Sequence, residues 1–558
     1  TLRRAALGFA LTALVSSLLM PQLGVSFGSA LTNKFHLLRL LATYSVAVLP
    51  YFFAGWILGG VYRDRAEGIH FLYFADLVGA GLGCLLVLAL IQPLGAVTLV
   101  LLACGLVVLP ILPATSRTPG AKAVTGVVLA GLAAPVFFDD AVNARIVPER
   151  SKAFHVQFAN LAPGDEKVVE LSEWNLLART DVIGTRRTDR KIVMIDGDAW
   201  TRMPDNVVDV PPPFDLDRQG LVPHNAPYML ARPYDSVLVI GSGGGPDVWH
   251  ALRAGASRID AVEINPTTAR IVKEEYDEHL NGLFNRPGVR LWNVEGRSFV
   301  RSRPDTYDGI MINAIDTFAA VDSGAYVLAE NYLYTVEAVK DYVAHLNPRG
   351  VLCITRWDYA GEAPRLFTVM LEALYELGYA QPDRHITAQQ DEGWISVLVS
   401  PTPFSPAELA AAKAHTEKHG GRIVFPAPDR ERTTPLQAVV NAYAEARRDG
   451  DFEAFLDEYR YNIRPVYDDG PFFFHYRKPW EWLHAFAAAG SGDFVRGHWS
   501  EFTLTALLGL TGFALMLFVG VPLARRGRGP AVVPRFGLWL LFFCCLGASF
   551  IFVEISLM

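Results

Sequence analysis

The stretch Asp235-Ser-Val-Leu-Val-Ile-Gly-Ser-Gly-Gly-Gly-Pro-Asp247 decides the fold, because it joins a short apolar run to a turn of closely spaced glycines. Gly241, Gly243 and Gly245 have no Cβ where the backbone must turn sharply and approach a ligand. A helix is expected to begin near Pro246, a residue favoured in the first helical turn. The stretch therefore predicts a buried strand, a ligand-binding turn and a helix.

A second stretch, Ile259-Asp-Ala-Val-Glu-Ile-Asn265, ends in a carboxylate. Glu263 follows the first glycine at a spacing of roughly 20 residues, where a carboxylate accepts hydrogen bonds from both ribose hydroxyls of a bound nucleoside. Asp247, at the start of the helix, is a further candidate ligand. Two alternatives stay open: a glycine turn that serves only the chain reversal, and a nicotinamide dinucleotide site, whose glycine fingerprint is similar.

Strand-like and helix-like segments alternate from Tyr234 to Trp357, which predicts a doubly wound parallel sheet. The carboxyl ends of such strands form the ligand edge, where Glu263, Glu295 and Asn313 are expected to converge. Glu295 either accepts from the exocyclic amine of an adenine or caps a helix. The predicted strands are 237–240, 258–264, 289–292, 309–312 and 351–355, and the predicted helices are 248–254, 267–280 and 336–346.

The water-soluble middle of the chain divides into three predicted parts. Short alternating runs between about 150 and 225 predict a small antiparallel β subdomain. The α/β domain spans 226–400, and a soluble extension spans 401–495. The extension ends in Asp468-Asp-Gly-Pro-Phe-Phe-Phe474, where the phenylalanines are expected to be core or interfacial anchors.

Both ends of the chain are apolar, and 51% of all residues are hydrophobic with a mean hydropathy of +0.23. Each apolar run is near the 20 residues or so that span a bilayer, so we predict a multi-pass membrane protein. About five helices are expected within 1–138 and two within 501–558, the last truncated in a fragment of a longer protein. The runs are 5–25, 37–62, 71–91, 96–112, 121–138, 502–523 and 536–558.

Charge and cysteine usage narrow the partners. A net charge of −7 and the absence of a basic stripe argue against nucleic-acid binding. The scattered cysteines predict neither disulfides nor a metal site. Expected partners are the lipid bilayer, a small amine substrate, and a membrane protein complex or a second copy of the chain. The cysteines are Cys84, Cys104, Cys353, Cys544 and Cys545.

Taken together, several motifs resemble the spermidine synthase family, the polyamine aminopropyltransferases, and its bacterial membrane-fused members in particular. The resemblance covers about 155 to 360, and recurrent segments of the fused members add to it. The motifs are Val237-Leu-Val-Ile-Gly-Ser-Gly-Gly-Gly245, Val262-Glu-Ile-Asn-Pro266, Glu295-Gly-Arg-Ser-Phe299 and Asn313-Ala-Ile-Asp316; the segments are 74–83, 329–335 and 468–474.

The resemblance implies a methyltransferase-like α/β fold and a cofactor, either decarboxylated S-adenosylmethionine or S-adenosylmethionine itself, with no metal. In the family, an amine attacks a carbon next to the sulfonium. A carboxylate takes the amine's proton, because an alkylammonium has a pKa near 10. The resemblance therefore implies a transferase of alkyl groups and a role in polyamine biosynthesis.

The chain departs from the family pattern in the amine half of the site. The family's proposed base is the first aspartate of Asp-x-x-Asp, and here that position is Asn313, which cannot accept the proton. Asp316 is the best remaining acidic residue for the acceptor. The family's glycine turn also carries an aspartate for the donor's ammonium, which is Gly244 here, with Asp247 as a candidate substitute. Asp322, Glu330 and Tyr332 are candidates for a rebuilt acceptor site.

Three functions stay open at this point. The first is a membrane-anchored transferase that moves an aminopropyl or other alkyl group from an S-adenosyl-type donor to an amine. The second is a catalytically inactive scaffold subunit of a membrane complex, which Asn313 and Gly244 favour. The third is a methyltransferase that uses intact S-adenosylmethionine, which does not need the aspartate replaced by Gly244.

The membrane topology contains a conflict. The positive-inside rule with five spans before the middle of the chain places the soluble part outside the cytoplasm of the bacterial inner membrane. S-adenosyl cofactors are expected inside. Within the apolar runs, Asp76 and Glu554 either handle a substrate or proton or form an inter-helix hydrogen bond, and small residues from Gly79 to Gly83 are expected to allow close packing.

Overall fold

A computed structural model describes the chain in segments, and it separates into two compact units, Thr1–Glu501 and Phe502–Met558. In the second unit only six residues are described. The described residues are 2–23, 34–64, 66–108, 126, 130–131, 153–157, 164–187, 190–204, 226–230, 232–316, 329–358, 361–391, 393–418, 420–426, 434–478, 509, 512–513, 516–517 and 521.

The helices are α1 Leu2–Leu23, α2 Lys34–Asp64, α3 Ile69–Val108, α4 Pro246–Arg253, α5 Pro266–Arg270, α6 Gly296–Arg301, α7 Val336–Ala344, α8 Glu362–Glu376, α9 Pro406–Lys418, α10 Pro435–Asp449 and α11 Phe452–Glu458, with a short helix at Ala153–Val156 and short 3-10 or π segments at Ala66–Gly68, Ala226–Met229, Ile271–Glu275, Leu283–Asn285 and Pro382–His385. The strands are β1 Lys167–Trp174, β2 Arg179–Thr185, β3 Lys191–Ile195, β4 Ala199–Met203, β5 Ser236–Ile240, β6 Arg258–Val262, β7 Val289–Trp292, β8 Tyr307–Asn313, β9 Leu346–Trp357, β10 Ile386–Asp391, β11 Trp394–Val399 and β12 Arg422–Phe425.

Eight strands form one large sheet in the order β12-β10-β11-β9-β8-β5-β6-β7. The strands from β9 to β7 in this order are parallel. All five residues of β5 are buried, as expected for a strand covered by helices on both faces. The strand order reverses between β5 and β8: the chain runs from β5 to β7 towards one edge and from β8 to β9 towards the other. In sheets of this kind, ligands bind outside the carboxyl ends of the strands at this reversal. The predicted α/β fold is confirmed.

The part of the sheet beyond β9 is antiparallel, which the sequence analysis did not predict. Strand β11 pairs antiparallel with β9, β10 pairs with β11, and β12 pairs with β10. Strand β12 lies in the segment predicted as a separate extension. Helices α10 and α11 follow it. Their apolar faces, which include the buried Val440 and Tyr443 of α10, pack against the same core. The extension therefore completes the sheet and its core.

Strands β1 to β4 form a separate antiparallel sheet of four strands. Polar side chains attach it to the ligand edge of the large sheet. The amide of Asn175 donates to Asn265 Oδ1 at 2.7 Å and Thr267 Oγ1 at 2.9 Å, and Asn265 Nδ2 donates to Thr180 Oγ1 at 3.0 Å. Because buried polar groups need these partners, the contacts fix how the small sheet lies over Asn265, two residues after Glu263.

Two helices in the described part of the chain are long and apolar enough to cross a membrane, Leu41–Asp64 and Ile69–Ala103. In the most apolar stretch of each helix, 0% of Leu41–Asp64 and 17% of Ile69–Ala103 is buried inside the protein, so neither helix is packed like a core helix among the described residues. The predicted run 71–91 and the described part of run 96–112, through Val108, form the two parts of α3, which is broken between them at Gly95, where φ is 69° and ψ is 165°.

The prediction of seven spans is supported for these two helices only. Helix α1 covers most of the predicted run 5–25, but its side chains are described without gaps only over Arg4–Ser16, so the described residues do not test this span. The runs 121–138, 502–523 and 536–558 fall mostly or wholly outside the described residues. The described residues therefore do not establish the multi-pass arrangement.

Asp76 on α3 takes part in an inter-helix contact. The hydroxyl of Tyr62 on α2 donates to Asp76 Oδ2 at 3.4 Å. A Cβ placed on Gly79, Gly81 or Gly83 would meet no atom within 4 Å, so these glycines make no close helix contact within the described part of the chain. Of the two roles considered for Asp76, the structure shows the hydrogen bond. Glu554 lies outside the described residues.

Candidate nucleoside-binding site

The glycine turn folds as its sequence predicts. Gly241, Gly243 and Gly245 have φ values of 76°, 49° and 101°, a backbone region that glycine adopts without strain. The backbone N–H groups of Gly241 and Ser242 donate to the carbonyl of Val262 at 2.8 and 3.0 Å, so the turn closes against the end of β6. A Cβ on Gly241 would lie 2.3 Å from Ile315 Cγ2, so no larger residue fits there.

Glu263 lies against this turn. Its Oε2 accepts from Gly243 N at 2.9 Å and its Oε1 accepts from Asn265 N at 2.8 Å. Burial raises the pKa of the Glu263 carboxyl, and backbone hydrogen bonds from Asn265, Gly243 and Ile264 oppose that rise. A carboxylate offers about four lone-pair sites, so acceptor capacity remains for a ligand hydroxyl. The structure thus brings together the predicted glycines and the predicted carboxylate.

Strand β4 of the small sheet packs directly on the glycine turn, which sequence reasoning missed. A Cβ on Gly243 would lie 2.7 Å from Thr201 Oγ1. A Cβ on Gly244 would lie 2.6 Å from the carbonyl oxygen of Arg202 and 3.2 Å from that of Thr201. Because these carbonyls belong to a paired strand, they cannot move aside independently. Glycine is therefore required at position 244 because a side chain there would collide with β4.

Replacing Gly244 with alanine tests the packing of β4. We expect Gly244→Ala to lower the free energy of unfolding by about 1–3 kcal/mol, the usual cost of overpacking. Denaturant unfolding of the purified full chain measures the change. The matched control is Gly470→Ala, because a Cβ on Gly470 meets nothing within 4 Å. Equal stability of the two variants would contradict the close approach of β4.

Asp247 and Asn313 contact each other. Asn313 Nδ2 donates to Asp247 Oδ1 at 2.7 Å, and both residues are buried. The amide oxygen of Asn313 lies 3.9 Å from Cys353 Sγ, a weak contact. Burial raises the pKa of the nearby Tyr228 hydroxyl, and the charge of Asp247 adds to that rise. Asn313, at the position where the spermidine synthase family has its proposed base, is thus hydrogen-bonded to helix α4.

Asp316 lies in a second polar cluster. Its carboxylate accepts from Asn331 Nδ2 at 2.6 Å and Tyr334 Oη at 2.7 Å, and it forms an ion pair with Arg356. Arg356 also donates through Nε to Glu362 Oε1 at 2.6 Å. Both oxygens of the Asp316 carboxylate are thus occupied by donors from the protein. Asp316, the acidic residue predicted to contact the acceptor amine, is already paired with the buried guanidinium of Arg356.

The remaining candidates have local partners. Glu295 caps α6, since its carboxylate accepts from Arg297 N at 2.9 Å and Ser298 N at 2.7 Å. Of the two roles considered for Glu295, the structure shows the helix cap. Tyr332 Oη donates to Glu330 Oε2 at 3.0 Å on the exposed surface. Asp322 lies outside the described residues.

A C-terminal segment, residues 459–478 and called the strap here, covers the Asp316 cluster. Phe473 and Phe474 are buried, and their rings lie 4.9 and 6.3 Å from that of Tyr334. The core role predicted for these phenylalanines agrees with their burial. The strap is fixed by Asp468, which accepts from both terminal nitrogens of the buried Arg297 at 2.6 and 2.8 Å.

The Asp468–Arg297 pair predicts a dependence of stability on pH. Partial burial raises the pKa of the Asp468 carboxyl, but hydrogen bonds from Arg297 and Thr335 outweigh it and hold that pKa below its usual value. A lowered folded-state pKa means that the pair stabilises the fold above about pH 4 and is lost as the pH falls through the folded-state value.

Asp468→Asn should therefore lower the free energy of unfolding by about 1.5–3 kcal/mol at neutral pH, and by progressively less as the pH falls below about 4. Denaturant unfolding at a series of pH values checks this. The matched control is Asp469→Asn on the next residue. A deficit independent of pH would contradict the role of the carboxylate charge.

In the described part of the chain, no group of three or more His, Cys, Asp or Glu side chains could hold a metal ion. The described cysteines Cys84 and Cys353 form no disulfide, and burial raises the pKa of the Cys353 thiol to about 12. The carboxyl ends of β5 and β6 therefore offer hydrogen-bonding groups and no metal cluster among these residues.

Comparison with known proteins gives low-identity relatives. No family model matches the chain. Polyamine aminopropyltransferase 2 of Hyperthermus butylicus is 26% identical over 188 residues, which are 33% of this chain and 59% of that protein. Polyamine aminopropyltransferase 2 of Pseudomonas aeruginosa is 27% identical over 137 residues, which are 24% of this chain and 37% of that protein. The chain is thus similar, at low identity, to a class of transferases.

The chain spans only part of these relatives, between 26% and 59% of the length of the curated proteins it matches. Among solved structures, the spermidine synthase of Thermotoga maritima matches at 16% identity and a TM-score of 0.32, over 51% of this chain and 88% of that chain. With a TM-score this low, the α/β assignment depends on the strand order of the chain itself.

Proposed function

We propose that the chain is a transferase that binds an adenosyl sulfonium donor at the glycine turn and transfers an alkyl group to an amine. The contact between Glu263 and Gly243 carries the proposal. It joins the turn after β5 to the carboxylate after β6, where nucleosides bind in sheets of this kind. The low-identity relatives, which are aminopropyltransferases by name, support the same chemistry.

In this proposal the Glu263 carboxylate accepts from the ribose hydroxyls with its remaining lone pairs. The backbone of the turn from Gly241 to Gly245 lies beside the sugar and the sulfonium. Glu295, already occupied as a helix cap, shapes the end of β7. Asp247 holds the start of α4 through its contact with Asn313.

The transfer is a direct displacement. The lone pair of the amine attacks a carbon bonded to the sulfonium, the new C–N bond forms, and the C–S bond breaks. The sulfur keeps the bonding pair and leaves as a neutral thioether of adenosine, and the amine releases one proton to water. The protein contributes mainly by aligning the two reactants, which can lower a barrier by several kcal/mol.

The half of the site that would hold the acceptor amine differs from the pattern of the spermidine synthase family. Asn313 cannot take a proton, and Asp316 is paired with Arg356. We therefore give these two residues a positioning role: they hold helix α4 and Tyr334 in place around the acceptor. Their engagement also favours a second candidate, a scaffold that keeps the fold without turnover.

The proposal includes attachment to the bacterial inner membrane through multiple spans. The distribution of positive residues favours the outside for the middle of the chain, and the supply of the donor favours the cytoplasmic side. The two apolar helices described above support attachment. A membrane complex or a second copy of the chain is a further proposed partner.

Product analysis tests the proposal. The purified chain is incubated with S-adenosylmethionine or its decarboxylated form and a set of diamines and polyamines, and the nucleoside products are identified by mass spectrometry. Formation of an adenosine thioether together with an alkylated amine is the expected result. Donor binding without any product in all combinations would support the scaffold instead.

A further inference from the structure

Two tryptophans, called the Trp pair here, stack at the open end of strands β9 and β11. Trp357 is the last residue of β9 and Trp394 is the first of β11, and the two are paired across the strands. Their ring centroids lie 3.8 Å apart, with an angle of 23° between the ring planes. Trp357 is 36% exposed. A large aromatic surface therefore meets solvent at the carboxyl end of β9, the edge of the sheet at which the donor is proposed to bind.

The Trp pair continues a row of polar side chains on one face of the sheet. The amide oxygen of Asn313, at the end of β8, lies 3.9 Å from Cys353 Sγ. Thr355 Oγ1 lies 2.9 Å from Ser396 Oγ. Side chains alternate between the faces of a strand, so Cys353, Thr355 and Trp357 share a face. The row from Asn313 to the Trp pair spans a distance on the order of 10 Å.

The nucleoside and the acceptor amine must occupy different parts of this edge. Glu263, which is proposed to hold the ribose, follows β6, on one side of β5. Strands β8, β9 and β11 lie on the other side of β5, in that order. An amine that attacks a donor carbon at the end of β5 therefore extends over β8 and β9. An elongated amine reaches the Trp pair with the end that does not react.

The surroundings of the Trp pair favour a cation. Asp358 directly follows the last residue of β9, and Asp391, at the end of β10, lies opposite the tryptophan of β11. Gln390 separates Asp358 from Arg422 on β12, because Gln390 accepts from Arg422 Nε at 2.6 Å and donates to Asp358. The face of an indole ring also attracts ammonium groups, through the negative potential of its π electrons.

We propose that the Trp pair is a subsite for the second, unreactive ammonium group of an elongated amine acceptor. This inference rests on the proposed function, and it narrows the acceptor to amines longer than a simple diamine. A cation over an indole face is stabilised more strongly as it loses water. Asp316, at the neighbouring strand β8, is occupied by Arg356. The aromatic rings thus supply recognition that this engaged carboxylate does not offer.

Calorimetric titration of the full chain, saturated with methylthioadenosine, tests the subsite with two amines. The diamine putrescine is too short to reach the Trp pair from Asn313, whereas the tetra-amine spermine is long enough. We expect spermine to bind about tenfold more tightly than putrescine. Equal affinity of the two amines, or binding of neither, would overturn the inference and leave the proposed function standing. Failure of methylthioadenosine to bind would overturn the proposed function itself.

Replacing the ring of Trp357 separates recognition from folding. Trp357→Leu keeps an apolar side chain but removes the indole face, so the affinity for spermine should fall about fivefold. Trp357→Tyr keeps a ring face and should retain most of that affinity. The affinities for methylthioadenosine and putrescine should stay unchanged in both variants.

The matched control is Trp200→Leu on β4, because Trp200 has a similar exposure of 37% and lies outside the row. This control should change none of the three affinities. A loss shared by all three ligands in Trp357→Leu would assign the Trp pair a structural role and overturn the subsite. An unchanged affinity for spermine would overturn it as well.

Discussion

Replacing Glu263 with alanine should abolish binding of adenosyl ligands, weakening it at least about a hundredfold. The carboxylate is proposed to accept from two ribose hydroxyls, and each hydrogen bond to a charged group contributes about 1.5–3 kcal/mol. Two such bonds correspond to more than two factors of ten in affinity. Titration of Glu263→Ala with methylthioadenosine measures the loss.

Two further variants separate binding from folding. Glu263→Gln keeps the shape of the side chain but removes its charge and half of its acceptor capacity, so it should also lose binding while remaining folded. Glu274→Ala, on an exposed glutamate nearby, should bind as the original chain does. Unchanged affinity in a folded Glu263→Ala protein would remove the assigned nucleoside site.

Replacing Arg356 with methionine should produce the largest loss of stability. Its side chain is only 1% exposed, and it pairs with Asp316 and Glu362. Its guanidinium also lies 5.2 Å from the ring centre of Tyr334. Removing one partner of a buried pair typically costs 3–5 kcal/mol, because the remaining charges lose compensation, so about that loss is expected in denaturant unfolding.

The charges, and not the volume of Arg356, should decide this result. Adding Asp316→Asn and Glu362→Gln to Arg356→Met should restore most of the lost stability. Burial already raises the pKa of Glu362, opposed by Arg356. Without Arg356 that folded-state pKa lies further above the unfolded value, so the deficit should grow as the pH rises above about 4.

The exposed Arg301→Met is the matched control, since its guanidinium makes only a 3.9 Å contact with Asp341. A deficit in Arg356→Met that is no larger than in this control would contradict the assignment of a buried charge network. A deficit that the compensating substitutions leave unchanged would assign the loss to packing against Tyr334 instead.

Local sequence patterns predicted the glycine turn and its neighbouring carboxylate because these features are local. The strand before Gly241 is a continuous apolar run, the turn needs glycine, and Glu263 directly follows the next strand. Each of these depends on a few neighbouring residues. The structure brings Gly243 and Glu263 to 2.9 Å, as expected for adjacent parallel strands.

The contacts that the sequence did not predict are between segments far apart in the chain. The packing of Thr201 and Arg202 on the glycine turn depends on how two sheets dock, and no local pattern encodes it. The pairing of Asp316 with Arg356 joins residues 40 positions apart. The motif Asn313-Ala-Ile-Asp316 suggested an acceptor site, and only the three-dimensional structure shows that both polar residues are engaged.

The antiparallel part of the large sheet was also missed. Strands β10 and β11 form a hairpin closed between Asp391 and Trp394, a local feature that the sequence analysis did not identify, whereas β12 pairs with β10 from a distant segment of the chain. In the apolar region the sequence was more informative, since the break of helix α3 at Gly95, after Pro93, lies at the boundary between two predicted runs.

The most direct test of the central claim is equilibrium binding of methylthioadenosine, the part that all adenosyl sulfonium donors share, to the purified full chain. The nucleoside site at Gly241–Gly245 and Glu263 predicts saturable binding of one ligand per chain, lost in Glu263→Gln and kept in Glu274→Ala. No saturable binding at millimolar ligand, by a chain that remains folded, would contradict it.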